Sequence, residues 1–559
     1  MVVCVQAQAP SGLIIQEIMA DPVPVQQLPP IEYVEIRNLG GTPVFLQGMS
    51  LSDGTSKAVI QAALVLQPDS CLLLCSTASV AQLQPYGRVV GLSSFPSLNN
   101  EGDSLILRNA QGRVLHAVAY SSSWYRNPFQ SDGGWSLEMV DPRQACLGAG
   151  NWRSTRSAAG GTPGKNADSI GVPIVLPALR CVQAVVVNPY QLNLFFSEPL
   201  DSSAAVEGSR YTWTQTLSAP DKIECPGPWF QEVRMSWRQP VFFAQQVFQV
   251  RMTVMKLCTG TEVRGLPAVN LGLAVRPDST DIRINELLFE PVSGGAPFIE
   301  LYHQGKSALD LSKLMLANRT VGGQLQNLRA LSEERRFAYP KQYILVTDDT
   351  ALLGSRYRIG DSAVIIERTL PSLPDDASKI VVLYADGTVL DELHYEAKWH
   401  HPLLSGTKGV SLERVRVEAA TQDKHNWHSG STHTGYATPG ERNAQSFQVQ
   451  GPDPDPFSVP AWFSPNYDGV DDLLLIQYAF KEPGMICHAA VYHSGGALMR
   501  VIEDHALCGQ KGFFQWDGTR EDGSMVPTGY YVLWLETYNG EGQVKKFKKA
   551  LALIAERQK

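Results

Sequence analysis

The stretch NWRSTRSAAGGTPGKN, residues 151–166, returns late in the chain as NWHSGSTHTGYATPGERN, residues 426–443. Tyr120, Trp124, Leu137, Glu138, Asn151 and Trp152 each meet the same residue type 275 positions later, at Tyr395, Trp399, Leu412, Glu413, Asn426 and Trp427. The openings match as well, LIIQEIMADPV with IRINELLFEPV and EYVEIRN with PFIELYH. Self-similarity held over such a length means two copies of one folding unit, at about 10–168 and 281–447. A chain of 559 residues, at roughly 100–200 residues per domain, then has room for about two more domains.

Within each copy, short segments such as EYVEIRN, SLILRNA and RVLHAVAY alternate or are rich in β-formers, and turn signals such as NAQG and YADG punctuate them. That pattern predicts an antiparallel sandwich, with one short helix after the central strand at STASVAQL and TDDTALLG. Trp152 and Trp427 read as core anchors, each with about 150–250 Å² to bury. Pro163-Gly164 and Pro439-Gly440 read as closing turns. The joint pattern I-x-E-[IL], [FY]-[VI]-E-[IL], G-x-[SV]-L-E, N-W and T-P-G resembles the lamin tail domain in its bacterial form. The resemblance implies a compact immunoglobulin-like sandwich in each copy. Copy 1 carries Gln16 where the pattern has Asn, as Asn285 does in copy 2.

Residues 169–280 contain QLNLFFSEPLD, RYTW and VFQVRMTVMKLCTG, a series similar to the small Ig-like spacer modules of bacterial surface-layer proteins. The run GPDPDP, within 448–456, stiffens toward an extended linker and predicts a last domain, 457–559, held away from the rest. That domain, from FSPNYDGVDD through FFQWDGTREDGSMVPTGYYVLWLETYNGEG, resembles the C-terminal domain of secreted and gliding-motility proteins of gram-negative bacteria. That domain is itself similar to the Ig-like domain of flagellar hook-capping proteins. The resemblance implies type IX secretion or surface attachment, with the secretion machinery as partner. The fold expected for the whole is all-β, a string of four Ig-like β-sandwiches.

In the loop of the last domain, Asn466, Asp468, Asp471 and Asp472 place oxygens close together, as Ca²⁺ requires. They supply too few ligands alone, so the loop is weighed between a calcium site and a turn that caps the first strand, with the turn preferred. Calcium is the one cofactor considered. His394, His400, His401, His425, His428 and His433 cluster in sequence, and imidazole is a common metal ligand. The aligned positions in copy 1 are Tyr125, Arg126, Gly150 and Arg153 for His400, His401, His425 and His428, so the fold does not need metal there and exposed loop histidines are expected. Glu17 with Glu35, and Glu286 with Glu300, recur on adjacent predicted strands. Two carboxylates at suitable spacing run glycoside hydrolysis, but a solvent-facing strand offers no cleft, so surface or cross-strand pairing is expected. No G-x-S-x-G, P-loop, H-E-x-x-H or Rossmann pattern occurs, and an enzyme is not expected.

The N-terminal MVVCVQAQAP resembles the end of a secretory signal, with Ala7-Gln8-Ala9 as the cleavage spacing and residues 1–9 as the remnant. No run of 18 apolar residues predicts a transmembrane helix. Cys71 and Cys75 on one strand lie about 13 Å apart at ~3.3 Å per residue, beyond bridging distance. The disulfides considered are Cys487 with Cys508, and Cys258 with Cys181 or Cys225, each against buried free thiols. A net charge of −8 disfavours nucleic acid, whose phosphates are held mainly by Lys and Arg. The function expected is therefore non-catalytic display at the cell surface, with adhesion to a protein or glycan ligand. The preferred contact patches are SSSWYRNPF and EAKWHHPL, with Trp124, Tyr125, Trp399, His400 and His401 as binding residues. The alternatives are a metal-dependent surface hydrolase or nuclease accessory, and a nucleic-acid binder.

Overall fold

The computed structural model describes residues 12–165, 174, 178–214, 217–402, 404, 406–446, 455–466 and 471–554. The signal remnant at 1–9 and most of the Pro-rich linker lie outside the described residues. The structure is all-β, with strands gathered into facing sheets and a few short helices. The chain divides into two compact units, Met1–Phe243 with Val247–Leu273, and Ala244–Gln246 with Ala274–Lys559.

In the first unit, a six-stranded sheet runs in the order Trp152–Ser154, Leu137–Met139, Leu13–Met19, Tyr33–Asn38, Cys71–Ser76, Val89–Leu92. A four-stranded sheet completes the layer pair, in the order Val114–Ser121, Gly102–Arg108, Ser50–Ser52, Lys57–Val59. The second unit repeats the six-stranded order with Trp427–Ser429, Leu412–Arg414, Ile282–Leu288, Phe298–His303, Tyr343–Thr347 and Val364–Glu367. Its four-stranded sheet, Val389–Glu396, Ala377–Tyr384, Leu314–Arg319, Leu325–Ala330, follows suit. The two copies thus share one topology. One detail departs from an antiparallel sandwich: the last two strands of each six-stranded sheet are parallel. Parallel neighbours need a crossover. In copy 2 it holds the helix Thr350–Arg356, whose first turn is capped by Asp349 Oδ1 accepting from Leu352 N at 2.8 Å.

Each copy has its own apolar core, and Trp152 and Trp427 are among its largest fully buried side chains. A third cluster fills the sandwich between Leu179 and Leu271, and a fourth the region from Phe457 to Leu553. In the last, the sheet Trp462–Phe463, Val544–Leu553, Gly529–Tyr538, Ile486–His493, Leu498–Leu507 faces Phe457–Ser458, Leu474–Ala479, Lys511–Trp516.

The C-terminal region is not held away by its linker, as the prolines implied. Ser431 Oγ donates to Leu507 O at 3.1 Å and accepts from Gly509 N at 3.0 Å. Gln445 Nε2 donates to Cys508 O at 3.1 Å while its Oε1 accepts from Gly484 N at 2.9 Å. These buried polar groups satisfy each other across the junction, which fixes the two sandwiches together.

The cysteine expectation also changes. Cys258 is bonded to Cys146, 112 residues earlier, and not to Cys181 or Cys225. Those two belong with the apolar cluster of their own sandwich, whereas Cys258 lies in the turn after Val254–Lys256 and meets the loop after Leu137–Met139. Cys487 and Cys508 are free, buried thiols whose side chains touch.

Candidate functional site

One extensive polar constellation is built twice, once in each copy. In copy 1, Glu17 stands between Glu138 and Glu35 on the neighbouring strands, and in copy 2 Glu286 stands between Glu413 and Glu300. The expectation that these glutamates face solvent is overturned: all six are at most 1% exposed. They pair across strands, but inside the protein.

A bulge explains part of this. The register slips between Ile15 and Glu17, and between Ile284 and Glu286, leaving Gln16 and Asn285 as the inserted residues. An inserted residue re-aims its side chain. Gln16 Nε2 donates to Glu35 Oε1 at 2.5 Å, and Asn285 Nδ2 to Glu300 Oε1 at 2.8 Å. The bulge also frees a backbone N–H, which each copy satisfies differently. Ile15 N donates to His116 Nδ1 at 3.2 Å, and Ile284 N to Asp391 Oδ2 at 2.8 Å.

The recurrent T-P-G is the other half of the device. Lys165 N donates to Thr162 O, and Glu441 N to Thr438 O, both at 3.0 Å. Proline and glycine therefore occupy the two central positions of a tight turn, and Gly164 and Gly440 have φ of 77° and 80°, as a type II turn requires. The turn delivers its donors to the carboxyls. Thr162 N reaches Glu17 Oε1 at 2.9 Å and Thr438 N reaches Glu286 Oε1 at 2.8 Å, while Gly164 N and Gly440 N donate to Glu35 and Glu300. Each threonine hydroxyl lies between two carboxyls, Thr162 at 2.7 Å from Glu138 and 3.4 Å from Glu17, Thr438 at 3.0 Å from Glu286 and 3.3 Å from Glu413. A hydroxyl has one hydrogen, so each threonine donates to one of its two carboxyls at a time.

Burial raises these carboxyls, to about 7 for Glu17, Glu35 and Glu286, with the neighbouring Glu35 adding to the effect at Glu17. Glu300 and Glu413 are raised well above the usual carboxylate range, by burial first and by Glu286 second. A carboxyl raised on folding stabilises fully below its unfolded value near 4.5 and loses that contribution as pH climbs to about 7. His116 works in the opposite sense, because burial lowers it to about 4 and its contribution is lost as pH falls from 6.5 toward that value. A comparison with Glu35→Gln separates the two. The amide carries a constant penalty for facing a donor, but the stability difference will move toward the variant by about 2–3 kcal/mol between about pH 5 and about pH 8. Urea melts at several pH values measure it, and a pH-independent difference contradicts the protonated cluster.

The six carboxyls of the two clusters are covered on all sides, each at most 1% exposed. They lock the C-terminal turn of each copy onto its central strands.

The residues expected to contact a ligand are placed as follows. Tyr125, His400 and His401 are buried, at 5%, 5% and 8% exposure, and so correct the expectation of displayed loop side chains. Tyr125 OH donates to Trp135 O at 3.1 Å, and His400 Nδ1 lies 2.9 Å from Ser429 Oγ. Trp124 and Trp399 are half-buried against the cores of their copies. Trp124 packs 6.2 Å from Trp152 and lines a cavity of about 230 Å³. From the SSSWYRNPF patch, Phe129 is the aromatic that is displayed, at 86% exposure. Burial pushes His400 and His428 down to about 4, which keeps them neutral. Among the described residues, the histidines from 394 to 433 do not gather three ligand atoms within 4.8 Å of one another. In the loop weighed for calcium, Asp468 lies outside the described residues. Asn466 N donates to Ser464 O and Ser464 N to Asp471 O, both at 2.8 Å.

An open groove was not anticipated. It encloses about 540 Å³ in the second unit and is lined by Tyr302, Tyr343, Arg416, Glu418 and Arg442. Tyr302 and Tyr343 are cross-strand partners with ring centroids 5.1 Å apart. The aligned strand partners in copy 1 are Arg37 and Cys71, so the paired rings belong to copy 2 alone. Arg414 forms the floor and is spent internally, donating to Ile284 O at 2.6 Å and lying 3.5 Å from Asp391. The sequence signal was available: a tyrosine at the outward position of each of two pairing strands, with Arg416 and Arg442 flanking the floor.

Comparison with known proteins adds the following. Residues 6–122 match the Lamin Tail Domain family. The lamin tail assignment thus falls on the first copy, and the second shares its strand order. No curated protein matches the chain. Among solved structures, PorZ, described as a surface component of the type IX secretion system of Porphyromonas gingivalis, is 11% identical, with 81% of this chain and 56% of that one covered at a TM-score of 0.15. The N-terminal part of the bacterial S-layer protein SbsC is 8% identical, covering 39% and 44% at 0.16. CopC from Methylosinus trichosporium OB3b is 12% identical, covering 18% and 89% at 0.14. The chain spans about half the length of the PorZ and S-layer structures it matches. Scores this low leave function to be argued from the residues. Among the described residues, no helix is long and apolar enough to cross a membrane.

Proposed function

We propose that the protein is an exported, non-catalytic surface scaffold whose second repeat holds a partner and whose C-terminal domain serves secretion or attachment. The observation that carries this reading is the Cys146–Cys258 bridge, because disulfides persist in oxidising compartments and are rare in a reducing cytosol. Two sandwiches cross-linked in this way, with turns fastened from within, suit a load-bearing display role. Fractionating cells that express the full gene, with intact mass and alkylation of the exported species, tests it. Export with two of the cysteines protected from alkylation supports the reading, and a fully reduced cytosolic protein overturns it.

The groove of the second repeat is the binding surface in this proposal. Paired tyrosine faces suit sugar rings, and two exposed arginines beside them suit carboxylates. The partner class is therefore an acidic polysaccharide. The double variant Arg416→Ala, Arg442→Ala will weaken retention on an immobilised polyuronate by about tenfold or more, as expected for lost charge-assisted hydrogen bonds. Equal retention of variant and wild type, or equal binding to a neutral glucan, removes the groove from the account.

A further inference from the structure

We propose that His488, Asp504 and His505 form a site for a divalent first-row transition metal ion, Zn²⁺ foremost, on the outer side of the C-terminal five-stranded sheet. The proposal does not depend on the polysaccharide reading, which concerns other residues.

The local backbone is the first argument. Between the cross-strand pairs Cys487 with Ala506 and Ala489 with Glu503, one strand contributes His488 alone while the other contributes both Asp504 and His505. In a regular strand, consecutive side chains point to opposite faces, so Asp504 and His505 would be separated by the sheet. The bulge brings both to His488. It does so with His505 at φ 57°, a left-handed conformation uncommon for a residue with a side chain.

Distances are the second argument. Asp504 Oδ1 lies 3.1 Å from His488 Nδ1 and 2.7 Å from His505 Nδ1, and one ligand atom from each residue falls within 4.8 Å of the others. Donors around a tetrahedral Zn²⁺ with bonds of about 2.0–2.1 Å stand about 3.3 Å apart, so a small opening of the cluster admits the ion. Two imidazoles and one carboxylate select Zn²⁺, Ni²⁺ or Cu²⁺ over Mg²⁺ and Ca²⁺.

The surroundings leave the fourth position open. Glu536, opposite His488 on the next strand, is engaged by Lys546 at 3.0 Å and by the Tyr538 hydroxyl. The Tyr538 ring lies 5.5 Å from that of His505 and walls one side. Three protein ligands with water in the last place is an ordinary zinc arrangement.

The test uses the untagged full-length chain, with Co²⁺ as spectroscopic probe and Zn²⁺ in calorimetry. One equivalent of Zn²⁺ should bind, and Co²⁺ should develop the visible absorption of a low-coordinate nitrogen–oxygen site. Asp504→Asn and His505→Asn should each weaken binding by at least about 10–100-fold, with melting unchanged in the absence of metal. Asparagine is chosen at 505 because it tolerates a left-handed backbone. His428→Gln is the control, since His428 feels His401 and His425 nearby. The proposal is overturned if the wild type binds no Zn²⁺, or if binding survives both cluster variants, and its loss with His428→Gln then places the ion at the other histidines.

Discussion

Replacing Glu286 with alanine will destabilise the second repeat by about 3–5 kcal/mol, as expected for an orphaned buried donor plus a cavity in a packed interior. Glu286 accepts from Thr438 N at 2.8 Å, from Ser411 Oγ at 2.6 Å and from Thr438 Oγ1 at 3.0 Å. Ser411 has a second acceptor in Tyr436 O at 3.1 Å, and the Thr438 hydroxyl has Glu413. Among the described residues, the Thr438 amide has no second acceptor. Its loss frees the T-P-G turn and, with it, the Gly440 amide bonded to Glu300. Glu286→Gln keeps one acceptor oxygen at the same place and will cost about 1–2 kcal/mol. Urea denaturation of both variants measures the effect. An alanine variant within about 1 kcal/mol of wild type, inside the range of ordinary surface substitutions, means the cluster does not fasten the turn.

Breaking the Cys146–Cys258 bridge, by Cys146→Ser with Cys258→Ser, will lower the stability of the first unit by about 3–5 kcal/mol. A closed loop of 112 residues removes much conformational freedom from the unfolded chain. Both sandwiches retain their own apolar clusters, so folding is weakened and not abolished. Among the described residues, the remaining thiols of this unit will not substitute. Burial pushes Cys71, Cys181 and Cys225 up to about 12 and Cys75 up to about 11, which suppresses the thiolate needed for exchange. Chemical melts with and without reductant check the prediction, and identical midpoints contradict it.

Much of the sheet structure is legible in the sequence. Alternation in EYVEIRN and RVLHAVAY marks strands that exist, and the repeated Asn-Trp positions marked buried anchors in both copies. What escaped was set by non-local or aperiodic geometry. A strand read with period two assigns Glu17 and Glu286 to one face or the other, but the bulges at Gln16 and Asn285 break that period and aim adjacent polar residues into one cluster. The clue was the joint recurrence of three glutamates with T-P-G, which no single strand displays. The same blindness to bulges hid the approach of His488 to Asp504 and His505. Cys146 and Cys258 belong to different sandwiches, and spacing within either one cannot pair them. The GPDPDP run read as a spacer because proline stiffness is local, whereas the docking of Ser431 and Gln445 against Leu507 and Gly484 is decided by side chains far from it.

Each repeat is closed by a turn bonded to carboxyls sealed in its interior. Hydrogen exchange of the Thr162, Gly164, Thr438 and Gly440 amides, followed by mass spectrometry on the native full-length chain, tests it most directly. These four amides will exchange as slowly as the central strands Leu13–Met19 and Ile282–Leu288, through opening of the whole sandwich. Exchange at the rate of an open surface turn contradicts it.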